Sequence, residues 1–139
     1  MTLVLPETLA AELARQARTA FPAECCGLVE GFAEDKQFRA TALHAALNLA
    51  RAPDRFEIDP KDHIAAVKAA RSRGARIIGC YHSHPGGEAK PSPHDLAEAG
   101  EADFLWLIAA TDGAECRIKA YVYRGAAFYE LSLKAVGAD

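Results

Sequence analysis

The chain has no long apolar run. Nothing in its 139 residues approaches the length of a membrane-crossing helix, so no membrane partner is expected. No basic segment leads into an apolar core at the start, as a secretory signal requires, and the expected location is cytoplasmic. Basic charge is not in excess: a net charge of −3 and a pI near 5.9 argue against nucleic acid as a partner. The four cysteines form no Cys-x-x-Cys pair, which speaks against a cysteine zinc site. Cys25 and Cys26 are adjacent, and Cys80 and Cys116 sit inside apolar runs, so buried structural thiols are the default. Cys80, close to His82, could alternatively sense oxidation or a wrong metal. Repeats, low-complexity tracts and long linkers are also missing. What remains is an ordinary globular composition, 50% hydrophobic and 25% charged, at a length that fits one domain with a real core.

The pattern along the chain mixes helices and strands. A helix is expected from Pro6 to Ala20, with Leu9 and Leu13 on one face. Cys26 to Val29 reads as a strand ending at Gly31, Phe32 to Gln37 as a charged turn, and Phe38 to His44 as a second strand. Arg55 to Ile58 reads as a short strand. Pro60 to Ser72 reads as a helix opened by Asp59 and closed by Gly74, with Ile64 and Val67 facing the core. The apolar run from Arg76 to Tyr81 reads as a buried strand that continues through His84. A short helix follows from Pro93 to Gly100. Phe104 to Ala110, Glu115 to Tyr123 and Ala127 to Leu133 read as three strands joined by turns at Asp112-Gly113 and Arg124-Gly125. This mixture predicts an α+β layered domain. Trp106 lies in a continuous apolar strand and is expected in the core.

The chemistry concentrates between His82 and Asp95 (HSHPGGEAKPSPHD). Residues two apart on a strand share a face, so His82 and His84 point the same way. Ser92 is placed as a helix N-cap and Pro93 as the first helical residue. Asp95 then falls in the first turn, where the helix dipole favours its charged form. Neutral imidazoles and a carboxylate are zinc ligands, and three such ligands with one open position make a catalytic site. Each piece also has a plainer meaning. His-x-His occurs in strands that hold no metal, Ser-x-x-Asp is a capping box, and capping would position Asp95 without excluding ligation. His44, His63 and His94 have no partner pattern, and His94 is expected to be exposed. Arg51, Arg55 and Lys61 could meet an acidic partner, with a solvated face as the default.

The whole arrangement, His-x-His-Pro followed by Ser-x-x-Asp, resembles the JAMM motif of the MPN (Mov34/PAD-1, JAB) metalloprotease family. The upstream segment FPAECCGLVEG, Phe21 to Gly31, resembles the glutamate-containing segment of that family. Glu24 falls on the position of its catalytic glutamate, whereas Glu30 stands where the family usually has an aliphatic residue. Leu3 to Pro6 with the following helix, and Asn48 to Pro60 (NLARAPDRFEIDP), extend the likeness over most of the chain. The resemblance implies a curved, mostly antiparallel β-sheet flanked by helices with cytidine-deaminase-like layering, forming a single MPN domain over residues 1–139. It implies one Zn²⁺ per chain on His82, His84 and Asp95, with water at the fourth position. Glu24 would act as general base and Ser92 as oxyanion donor. Without the resemblance, a glutamate after Pro-Ala is an ordinary solvated loop residue.

Larger relatives use inserted loops to grip ubiquitin chains, and this chain is too short to hold them. It is similar to the compact stand-alone prokaryotic members. Some of those trim small ubiquitin-like sulfur carriers after Gly-Gly or release a C-terminally loaded cysteine. The implied activity is a zinc peptidase or isopeptidase acting on such a carrier protein, whose extended tail would add to an accessible strand edge. Two other readings stay open: a non-catalytic MPN binding or scaffold module, and a metal hydrolase of another small amide. A homodimer is possible but not inferable from sequence.

Overall fold

The computed structural model describes residues 1–137. Strand β1 (Thr2–Pro6) leads into helix α1 (Glu7–Ala20), and strands β2 (Cys26–Glu34) and β3 (Gln37–Ala46) follow as a hairpin. Helix α2 (Pro60–Ser72), strand β4 (Arg76–Pro85) and helix α3 (Pro93–Glu98) come next. Strands β5 (Phe104–Thr111), β6 (Cys116–Arg124) and β7 (Ala127–Val136) finish the chain. No helix among the described residues is long and apolar enough to cross a membrane.

The strands form a closed barrel in the order β1-β3-β2-β4-β5-β6-β7. The expected curved, mostly antiparallel sheet flanked by helices is thus a mixed sheet that closes on itself. Parallel pairing occurs at β1–β3, β1–β7 and β4–β5, and the other neighbours are antiparallel. Closure depends on β1, which lies between β3 and β7 and pairs Thr2 with Ser132 and Pro6 with Val136. Pro6 itself ends that strand with extended backbone and precedes α1, so the helix begins one residue later than expected.

Alternate strand residues feed two apolar clusters on opposite faces of the sheet. Val29, Leu107 and Val122 join Leu13 and Ala17 of α1 in one, while Leu28, Trp106, Ile108 and Tyr121 join Ala66 of α2 in the other. Strand β4 takes part in both and carries an irregularity. Gly79 pairs with Val29 and Ile77 with Glu30, so Ile78 is an extra residue relative to β2, the signature of a β-bulge. Gly79 must be glycine, because a Cβ there would run into the Leu105 carbonyl of β5.

Helix α2 matches its expected ends. Asp59 accepts from Lys61 N at 2.9 Å, and Gly74 terminates the turn with φ of 72°. Its buried face is different: Ala66 and Ala70 point inward, Val67 is half-buried, and Ile64 is 57% exposed. Small side chains four apart let the helix approach the sheet closely, which the size of Ile64 concealed. The expected turn from Phe32 to Gln37 shrinks to Asp35 and Lys36, and strand pairing occupies the rest. Arg55 to Ile58 is not a strand and contributes one bridge, Asn48 with Ile58. Glu30 is buried. It bonds the Arg73 guanidinium at the end of α2 and lies 2.8 Å from His44 Nε2. Arg73 and His44 together hold its carboxyl below the ordinary range against the cost of burial. His44 therefore has a partner that the sequence did not reveal.

Candidate metal centre

Strand β4 delivers the two histidines. After the bulge, Cys80, His82 and His84 face the α2 side of the sheet, and Tyr81 and Ser83 face the other. His82 is wholly buried. Its ring stacks on Phe56 with centroids 4.2 Å apart and meets Trp106 edge-on at 5.8 Å. Trp106 is thus in the core as expected, and it also fixes the plane of a candidate ligand. His84 Nδ1 lies 2.9 Å from the Glu88 carbonyl oxygen. A carbonyl can only accept, so that nitrogen carries the proton and Nε2 presents a lone pair. Tyr121 donates to the adjacent Ala89 carbonyl at 2.7 Å and pins the same loop.

Helix α3 delivers the carboxylate. Ser92 caps it: Asp95 N donates to Ser92 Oγ at 3.1 Å, and Ser92 N donates to Asp95 Oδ2 at 2.9 Å. This capping box leaves Asp95 4% exposed and turned toward the histidines. His82 Nε2 and His84 Nε2 are 2.9 Å apart, and they lie 3.1 and 3.2 Å from Asp95 Oδ2. Three ligands around zinc at 2.0–2.1 Å sit about 3.3 Å from one another in a tetrahedron. The two imidazole nitrogens and one carboxylate converge at close to that spacing, so these residues could hold such an ion.

The electrostatics suit the same donor set. Burial pushes His82 toward its neutral form. Burial also opposes charge on His84, but hydrogen bonds to Asp95 and to the Glu88 carbonyl outweigh it and raise that imidazole. For Asp95 burial acts upward, and the hydrogen bonds of His82, His84 and the Ser92 N–H hold the carboxyl well below the usual carboxylate range.

Glu24 lies just before β2 and is 6% exposed, with Oε1 buried and without a partner among the described residues. Its pKa is pushed up to about 7, chiefly by burial. His84 pulls it down, and the charges of Asp95 and Asp54 push it up. An unengaged buried carboxylate near converging metal-type donors is the arrangement expected of a base awaiting a proton.

Across the chain, the family described as prokaryotic homologs of the JAB domain matches residues 6–122. The chain belongs to this prokaryotic JAB family. A desampylase of Haloferax volcanii is 34% identical to this JAB chain over 113 residues, 81% of this chain and 78% of that protein. A CysO-cysteine peptidase of Mycobacterium tuberculosis is 27% identical over 110 residues, 78% of this chain and 73% of the relative. A solution structure of a protein from Desulfitobacterium hafniense aligns with a TM-score of 0.86 at 26% identity, covering 99% of this chain and 94% of that one.

Several residues around this JAB site were not singled out by the sequence. Phe56, read as part of a short strand, forms the wall behind His82. A cavity of about 910 Å³ lies beyond that wall, floored by Leu28, Cys80 and Trp106 and rimmed by Arg51, Arg55, Glu98 and Glu101. The role of Glu88 is played by a backbone carbonyl, which no side-chain pattern can announce. Cys80 is buried in the α2-side cluster, and burial holds its thiol well above the ordinary value. His94 is exposed, as expected, and lies 3.9 Å from Asp54, outside the cluster.

Proposed function

We propose that this chain is a JAMM-type zinc peptidase that hydrolyses the amide bond after the C-terminal Gly-Gly of a ubiquitin-like, sulfur-carrier-type protein. The observation that carries the chemistry is the buried, unpartnered Glu24 carboxylate beside the converging His82, His84 and Asp95. Family membership and the names of the two curated relatives, a desampylase and a CysO-cysteine peptidase, support the substrate class. The second name fits release of a C-terminally loaded cysteine.

In this reading His82, His84 and Asp95 hold one zinc ion per chain. When bound, zinc supplies a Lewis acid that brings the pKa of water to about 7. Glu24 accepts the proton of the attacking water and later returns it to the leaving amine. Ser92 Oγ already accepts from the Asp95 N–H, so the hydroxyl proton is free for the scissile oxygen as it becomes negative. Phe56 and Trp106 keep water off the back of His82. The barrel is closed, but β1 pairs with β3 only from Gln37 to Arg39, so Ala40 to Ala46 of β3 has β2 alone as a ladder partner among the described residues. A carrier tail would lie along that open stretch of β3, beside the 47–58 loop that brings Phe56 to the site. The unit of action is a single domain over 1–139, working in the cytoplasm.

The test is intact-mass analysis of sulfur carriers extended past Gly-Gly, or carrying a terminal cysteine, incubated with the protein with and without chelator. Chelator-sensitive trimming to Gly-Gly is expected. No trimming of any carrier by protein shown to hold zinc would sink the substrate assignment.

A further inference from the structure

The Glu24–Cys25 peptide group is gripped from both sides by side chains that the proposed chemistry does not use. Its carbonyl, Glu24 O, accepts from Asn48 Nδ2 at 3.1 Å. Its N–H, on Cys25, donates to Ser83 Oγ at 2.8 Å. The C=O and N–H of one planar trans amide point in opposite directions, so the two bonds seize the plate at both ends and stop it rotating.

The two clamping residues come from different elements. Ser83 stands between His82 and His84 on β4. It is wholly buried, and its own N–H donates to the Cys25 carbonyl at 3.1 Å. Asn48 comes from the segment between β3 and α2, and its amide is saturated. Oδ1 accepts from Ala50 N and Glu57 N, both at 2.9 Å, and Nδ2 donates to Glu24 O and to Arg55 O at 3.1 and 3.2 Å. A flipped amide would lose all four bonds, so the orientation is determined. The Arg55 and Glu57 contacts also fix Phe56, which stacks on His82.

The Glu24 carboxylate has the opposite character, because Oε1 has no partner among the described residues. Its aim is set by its own backbone. We propose that Asn48 and Ser83 are positioning residues: they lock the Glu24–Cys25 peptide and thereby hold the Glu24 carboxylate in register with His82, His84 and Asp95. This rests on the reading of Glu24 as the base. A misplacement on the order of 1 Å costs about 100-fold in rate, so loss of one jaw is expected to lower kcat by about 10- to 100-fold.

The experiment compares zinc-loaded wild type with Ser83→Ala, Asn48→Ala and Ser83→Thr, and with each alanine variant in a Glu24→Gln background. Single-turnover cleavage of an extended carrier is followed by intact mass. Each alanine variant should keep the wild-type zinc stoichiometry and KM while losing kcat, and Ser83→Thr, which retains the hydroxyl acceptor, should recover it. In the Glu24→Gln background neither alanine substitution should cost anything more, since residues that act through Glu24 have nothing left to position. Losses that add in full to that of Glu24→Gln, or a kcat that does not move, would overturn the proposal. Two measurements need no turnover: amide exchange at Cys25, and crystal structures of the variants. Exchange should accelerate in Ser83→Ala, and the Glu24 carboxylate should be displaced in both alanine variants. A carboxylate that stays in place refutes the clamp even if no carrier is cleaved. Silence of the wild type toward every carrier refutes only the function assigned to Glu24. Because Ser83 is wholly buried, Asn48→Ala on the more accessible segment provides the decisive variant should Ser83→Ala not fold.

Discussion

The two faces of β4 are made of neighbouring residues and obey different rules. On the α1 side Tyr81 and Ser83 are wholly buried. The Tyr81 hydroxyl donates to Gln16 Oε1 at 2.7 Å, and its ring fills space that a Cβ on Gly27 would occupy. Every polar atom of that pair is used. On the α2 side, His82 leaves Nδ1 unpartnered, and neighbouring Glu24 leaves Oε1 unpartnered. Buried polar groups without partners cost stability, so the satisfied pair supports the fold and the two orphaned atoms weaken it. A strand can serve both ends because adjacent side chains never meet.

The sharpest way to break this contrast is to remove a ligand. His82→Ala should abolish zinc retention after dialysis, measured by metal analysis, and with it all chelator-sensitive cleavage. If zinc stays at one per chain, the ligand assignment fails. Glu24→Gln should retain zinc and lower kcat by about 100- to 10,000-fold, the range for a general acid–base group. Full turnover in that variant would remove Glu24 from the mechanism. On the packed face the currency of damage changes. Leu107→Ala, at a wholly buried site of the α1-side cluster, should lower unfolding stability by about 2–5 kcal/mol. Turnover of the zinc-loaded protein well below its melting transition should be kept. A large kcat loss there would mean that the two faces are not independent.

The smallest effect concerns pH. In the metal-free fold the Glu24 carboxyl sits at about 7, against an ordinary 4.5. Between those values the folded chain still holds a proton that the unfolded chain has released, so stability falls as pH rises through the window. The loss is complete above about pH 7 and amounts to at most about 3 kcal/mol. Urea unfolding in chelator should therefore find Glu24→Gln more stable than wild type at pH 8, by about 1–3 kcal/mol, with the gap closing near pH 4.5. A gap of the same size at both pH values would show that ionisation is not its cause.

What was legible in the sequence was local. Strand alternation places His82 and His84 together, the Ser92–Asp95 box carries its own geometry, and Asp59 and Gly74 bound α2 by rules that reach only a few residues. What was not legible depends on distant partners. Thr2 to Pro6 is a strand because β3 and β7 lie on either side of it, and that same contact closes the barrel. Glu30 reads as an oddity until Arg73 and His44 arrive from elsewhere in the chain. Ile64 reads as core because of its size, but the helix sits too close to the sheet for anything larger than Ala66 and Ala70. Phe56 belongs to no ladder, and its place against His82 follows from one asparagine side chain.

The extra residue at Ile78 has a consequence best put as arithmetic. Before it, the odd-numbered Ile77 packs with the α2-side cluster; after it, the odd-numbered Tyr81 belongs to the α1-side cluster and the even-numbered Cys80 to the α2-side one. The bulge swaps odd for even. Side chains on a strand alternate with a period of two, so a slip of one residue sends every later one to the opposite side. Were the same residues to run on in strict alternation, with no bulge, both imidazoles would turn into the packed interior, and a tyrosine and a serine would face the carboxylates. The parity of a short stretch of backbone, four residues ahead of His82, decides whether His82 and His84 meet Asp95 at all.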